Sequence, residues 1–203
     1  MTKFIMATKI GMSRTFRPDG AVVPVTKLKA GPCLVTGLRT SDRHGYQAVQ
    51  LGYGEVKRLP KPQAGSLKAM GKLFRHLHEF RLSPGQAVTI GQTIDVSQFA
   101  PGEFVSVVGW SKGRGFQGVV KRHGFHGHPS THGHKDQLRM PGSIGAGGVQ
   151  HVRKGMRMAG RMGQARVTVH KLEVVAVDQE SNELLLRGAV PGTRRGLVLV
   201  TAA

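Results

Sequence analysis

The chain of 203 residues carries 30 Lys/Arg against 11 Asp/Glu, a formal net charge of +19, and a single cysteine. That surplus implies a polyanionic partner, without choosing between DNA, RNA and a membrane surface. The length fits one good-sized domain or a domain with a long appendage, the lone cysteine excludes an intrachain disulfide, and no stretch approaches the ~20 apolar residues of a spanning helix.

The opening, MTKFIMATKIGMSRTF, has lysines at positions 3 and 9 that interrupt any apolar run, and it lacks a signal-peptide core. A soluble, cytoplasmic protein is expected. Residues 21–28, 33–38, 46–53 and 87–96 then read as strands, rich in Val, Ile and Thr and separated by Gly, Pro, Asp and Asn. Cys33 has no Cys or His at metal-ligand spacing and reads as a small buried hydrophobe. Residues 57–80 form a basic insertion with Lys57, Arg58, Lys61, Lys68, Lys72 and Arg75, whose later half, 66–80, is predicted to be helical. Phe104–Trp110 (FVSVVGW) is another strand. Residues 167–177 (VTVHKLEVVAV) alternate, 178–182 (DQESN) supply turn residues and Glu183–Arg187 returns, which is a hairpin pattern. Residues 197–201 close the chain as a last strand. Many short strands with regular turns imply a mainly β fold, a small barrel or sandwich, and not a βαβ architecture.

Between the strands at 104–110 and 167–177 lies the most distinctive segment. Residues 111–166 hold 11 Lys/Arg, one acid (Asp136), 13 glycines, six histidines and only two aromatics, Phe116 and Phe125. By contrast, residues 1–110 carry 15 basic and six acidic side chains, and 167–203 carry four of each. A segment so basic and so poor in apolar residues cannot offset its ordering entropy by burial, and it orders against an external polyanion. It leaves the β domain after one strand and returns at another. The expected organisation is therefore a β domain of 1–110 and 167–203 with a long, mostly irregular inserted extension at 111–166.

Several motifs in the extension invite sharper readings. Gly113-Arg-Gly115-Phe-Gln-Gly118 fits G-x-G-x-x-G after a strand, with Asp136 further on. A dinucleotide site needs a longer helix than the few residues before Gly124, and the kinase reading lacks its Asp-Phe-Gly and His-Arg-Asp partners. Glycines that let the backbone approach phosphate, with Lys112, Arg114, Lys121 and Arg122 to neutralise it, fit better. His123, His126, His128, His132 and His134 have no nearby cysteine, so they read as RNA contacts rather than zinc ligands. Ser130, Thr131 and His132 stand beside one isolated acid, which builds no convincing catalytic triad. Lys135, Arg139, Arg153, Lys154, Arg157, Arg161 and Arg166 complete the candidate RNA contacts. The strip KGMRMAGRMGQ at 154–164 offers Met156, Met158 and Met162 as a flexible apolar surface. Few aromatics argue for recognition of folded RNA by shape and phosphate, not by base stacking.

The string Ser111-Lys-Gly-Arg-Gly-Phe-Gln-Gly-Val-Val-Lys-Arg122 closely resembles the signature of the bacterial-type ribosomal protein L3 family of the large subunit. Lys9-Ile-Gly-Met-Ser-Arg14, Pro141-Gly-Ser-Ile-Gly145, Met158-Ala-Gly-Arg-Met-Gly163 and Gly188-Ala-Val-Pro-Gly192 fall where that family has similar strings, so the resemblance spans the chain in order. It implies a small translation-protein-type β-barrel that binds 23S rRNA early in assembly beside neighbouring large-subunit proteins. It also implies an extension that threads toward the peptidyl transferase centre. The tip would comprise Ser143, Ile144, Gly145, Ala146, Gly147, Gly148, Val149 and Gln150. Gly148 stands where many members carry a glutamine that can be methylated.

The leading expectation is a non-catalytic rRNA-binding constituent of the large subunit, with no cofactor, metal, membrane or small-molecule substrate. A nucleoid-type DNA-binding protein is the first alternative, weakened by the lack of a recognition helix. A nucleotide-dependent enzyme, resting on Gly113–Gly118 alone, is the second.

Overall fold

The computed structural model describes residues 3–83 and 85–202. Among them, the strands in chain order are β1 (Phe4–Phe16), β2 (Val22–Ala30), β3 (Cys33–Arg39), β4 (Ala48–Glu55), β5 (Phe74–Arg81), β6 (Thr93–Ile94), β7 (Phe104–Trp110), β8 (Phe116–Gln117), β9 (Gly160–Arg161), β10 (Arg166–Asp178), β11 (Glu183–Arg187) and β12 (Leu197–Ala202). Three short helices are α1 (Ser41–His44), α2 (Lys61–Ser66) and α3 (Val119–His123). The chain divides into two compact units, one running to Trp110 and resuming at Arg166, the other Ser111–Ala165.

Six strands of the first unit close into a barrel in the order β1-β12-β7-β10-β11-β2, with every neighbouring pair antiparallel. The mainly β, barrel-forming reading of the sequence is borne out. Closure leaves no unpaired edge, which short strands of this composition would otherwise expose. The two long strands bend to make it possible. Pairing register shifts between Lys9 and Gly11 in β1, and at Val169/Leu172 and Val174/Ala176 in β10, with Lys171 at a φ of 55°. Such bulges raise local twist and turn the strand around the barrel.

A four-stranded sheet, β5-β4-β3-β6, packs on the same core. Phe4 stacks on Phe80 with ring centroids 5.1 Å apart, so β1 is buried on both faces at Phe4, Ile5, Met6 and Ala7. Val105 and Val107 of β7, Leu184 and Leu186 of β11, and Val35, Val49 and Leu51 of the sheet are fully buried. Thr26 is the one buried polar side chain among the described residues, and its hydroxyl donates to the Gly188 carbonyl at 2.6 Å. Cys33 is buried, and burial pushes its thiol up to about 12, which leaves it inert at neutral pH.

The structure departs from the sequence reading in four places. Residues 66–80, predicted as a helix, hold only the end of α2, a 3-10 turn at Lys68–Met70 and then β5. Gly71 ends the turn in the left-handed region, and Phe74 and Phe80 are needed as a strand to cover the sheet. Residues 87–96 form a strand only at Thr93–Ile94, where Cys33 and Leu34 supply a partner. The opening residues, assigned no strand from the sequence, form the thirteen-residue β1. Arg166, expected at the end of the insertion, pairs with Trp110 as the first residue of β10.

Two histidines on β5 make the first unit sensitive to acid. His76 and His78 titrate below the usual imidazole value of 6.5, because burial disfavours the cation and Arg75 and Arg166, respectively, repel it; Glu79 offsets part of this at His78. The unfolded chain then takes up these protons more readily than the folded one, so stability is full above about pH 6.5 and declines as pH falls below it. Thermal unfolding from pH 7.5 to 5.5 should show a falling midpoint, and His78→Gln should flatten that slope.

Candidate nucleic-acid interface

In the second unit, the two chain segments that begin and end it run side by side. The Ser111 amide donates to the Ala165 carbonyl (2.9 Å), Gln164 to Ser111 (3.1 Å), Arg114 to Met162 (2.9 Å) and Met162 to Gly115 (2.9 Å). Strands β8 and β9 continue this pairing, Phe116 opposite Arg161 and Gln117 opposite Gly160. The neck is this tight because of glycine. Gly163 has a φ of +80°, and a Cβ there would lie 2.1 Å from the Lys112 carbonyl oxygen. A Cβ at Gly160 would lie 2.7 Å from Arg122 Nη1.

Helix α3 follows β8, with Val119 buried beneath it. Its five residues end at Gly124 in the left-handed region, so no helix of useful length follows Gly118 and the G-x-G-x-x-G string does not form a dinucleotide fingerprint. Instead, α3 turns two of the candidate residues inward. Arg122 Nη1 donates to the Met158 carbonyl at 2.6 Å, and His123 Nε2 lies 3.0 Å from the same oxygen. A carbonyl only accepts, so that ring nitrogen carries the proton. These two residues brace the neck, and Arg161 is likewise engaged by the Gln164 side chain.

The other candidates lie open. Lys112, Arg114, Lys121, Lys135, Arg139, Arg153, Lys154 and Arg157 are exposed. All ion pairs among the described residues lie in the first unit, and none of the extension's cations meets a carboxylate. The histidines do not gather. His128 and His134 stack at 5.7 Å, while His126 and His132 are exposed, and no three His, Cys, Asp or Glu among the described residues could hold a metal ion. The tip is exposed from Ser143 to Gly148 and at Gln150. It is shaped by local contacts: Ser143 Oγ donates to the Gly145 carbonyl at 2.8 Å, and the Val149 amide to Ala146 at 3.0 Å. It offers backbone groups, the Ser143 hydroxyl and the Gln150 amide, and no group able to act as a general acid or base near neutral pH. Sequence reasoning missed the Met158 carbonyl and the need for Gly163, whose only signal was one glycine in a Met-rich strip.

The family model for ribosomal protein L3 matches residues 56–185. The large ribosomal subunit protein uL3 of Herpetosiphon aurantiacus is 52% identical over all of this chain and 97% of its own length. The chain belongs to the ribosomal protein L3 family. The corresponding proteins of a Roseiflexus strain and of Acidothermus cellulolyticus are 54% and 51% identical, over 100% and 99% of this chain and 98% and 92% of their own lengths. As an L3 family member the chain is a structural, non-enzymatic constituent of the large ribosomal subunit, within a ribonucleoprotein that carries out translation. The nucleotide-dependent enzyme and the nucleoid protein are thereby set aside.

Proposed function

We propose that this chain binds 23S rRNA with both units during early subunit assembly. In this reading, the barrel unit docks on the RNA surface and the segment 111–166 threads inward, its tip at 143–150 approaching the peptidyl transferase centre of a cytoplasmic ribosome. The observation that carries the proposal is the set of eight exposed extension cations with no carboxylate partner. Like charges of this number repel unless phosphates lie between them, and each phosphate contact releases counterions. Neighbouring large-subunit proteins complete the setting.

The test is co-sedimentation with the large subunit through a high-salt gradient, where free protein would overturn the reading. A finer test uses Lys112, which is exposed on the neck. Lys112→Ala should lower affinity for 23S rRNA and reduce the slope of log K against log salt by up to about one unit. Unchanged slope and affinity would place Lys112 in solvent.

A further inference from the structure

Four basic side chains from separate parts of the first unit line one open cleft beside the barrel. Lys29 comes from β2, Lys72 and Arg75 from the approach to β5 and its start, and Arg195 from the loop before β12. The cleft has a volume of about 850 Å3, and Glu55 is the one acid among the described residues on its wall. Glu55 is already held by Lys72, 3.8 Å away. The rest of the lining is largely apolar: Pro32 is exposed, Leu34, Val56 and Leu197 are half-buried, and Tyr53 and Phe74 are buried. It is also firm, because the Tyr53 hydroxyl donates to the Lys29 carbonyl at 2.9 Å and lies 3.0 Å from the Thr8 hydroxyl.

Cations and apolar side chains lining one cleft suit a ligand that joins an anion to a flat apolar group within one unit. A nucleotide joins the two in every unit, whereas an acidic peptide does so only where an aromatic residue adjoins an acid. A cleft of this size admits a single nucleotide and excludes a double helix, whereas unpaired RNA bases are free to splay out. We propose that the cleft takes one unpaired nucleotide of RNA, with its phosphate on Lys29, Arg75 and Arg195 and its base against the apolar lining at the exposed Pro32. The proposal rests on the RNA-binding reading above and adds an anchor on the barrel unit that is separate from the extension.

The inert Cys33 makes the test clean. A cysteine introduced at the exposed cleft residue Thr93 (Thr93→Cys) is then the thiol that a photocrosslinker labels on the full chain. With 23S rRNA as the probe, crosslinks should fall on a few unpaired nucleotides and disappear when K29Q, R75Q and R195Q are added. The same triple variant, without the label, should lower the slope of log K against log salt by about 0.7, the contribution of the single phosphate that the three cations share. All three positions are exposed, so the variant should melt like the parent. A parallel K112Q/R114Q/K121Q variant separates the two readings. If it lowers the slope and the cleft variant does not, the cleft proposal alone fails; if neither does, RNA binding by the extension fails with it. Crosslinks confined to paired nucleotides, or to a protein in assembled subunits, would also overturn the cleft assignment.

Discussion

Replacing Gly163 with valine should leave the barrel folded and remove most of the affinity for rRNA. The new Cβ would meet the Lys112 carbonyl oxygen at 2.1 Å and the Gly113 Cα at 2.9 Å, both backbone atoms that cannot swing aside. Valine also resists the φ of +80° that this position requires. The two neck segments must part, and the four backbone hydrogen bonds between residues 111–115 and 162–165 go with them. At about 1 kcal/mol each, their loss is on the order of 4 kcal/mol, which RNA binding would have to restore. Affinity should therefore fall by roughly 100-fold or more, at ~1.4 kcal/mol per factor of ten. The buried core lies almost wholly in the first unit, so the unfolding midpoint should hold. Gly113→Ala is the control. A Cβ there finds its nearest neighbour, the Gln164 Cβ, at 4.0 Å, and its φ is ordinary, so binding should be close to that of the parent. Filter binding and thermal melts on all three proteins decide the matter. A valine variant that binds normally would mean that the neck opens in the complex anyway.

Deleting residues 146–149 should have a large effect of a different kind. These residues close the tip through the Val149–Ala146 hydrogen bond and support nothing in the barrel. Initial rRNA binding should change less than about twofold, because no cation is removed. Late subunit maturation, or the binding of drugs at the peptidyl transferase centre, should be altered instead. Peptide transfer itself should continue at a reduced rate, since the tip holds no acid or base to lose. Single-turnover peptide bond formation on purified mutant subunits measures this. If transfer vanished in fully assembled subunits with unchanged RNA structure, the non-catalytic reading of the tip would have to be abandoned.

What could be read in the sequence follows from how local each signal was. The hairpin of β10 and β11 was legible because period-two alternation met a turn-forming DQESN, all within adjacent residues. The β1 strand was hidden because burial on both faces replaces alternation with a short apolar run, which lysines then interrupt. Strand β5 is hard to read because its inner face sets half-buried His76 and His78 between Phe74 and Phe80, which blurs the apolar alternation, and only the neighbouring β4 fixes the chain as extended. In the candidate interface, charge is additive and needs no fold to be counted, so the exposed cations were found. The bracing of Met158 by Arg122 and His123 joins residues 35 or more positions apart, and nothing local announces it.

The position of β12 in the barrel has a consequence for how the molecule is made. It lies between β1 and β7, so the arc that runs from β1 through β2, β11 and β10 to β7 closes into a ring only when β12 is added. During translation the barrel therefore stays unclosed until residues 197–202 have emerged, long after the basic segment has left the tunnel. Each nascent molecule passes through an interval in which its cations are available and its core is incomplete. Pairings of such long sequence separation also form slowly. A partner that shields the nascent segment during that interval would raise the yield of folded protein without contacting the finished barrel.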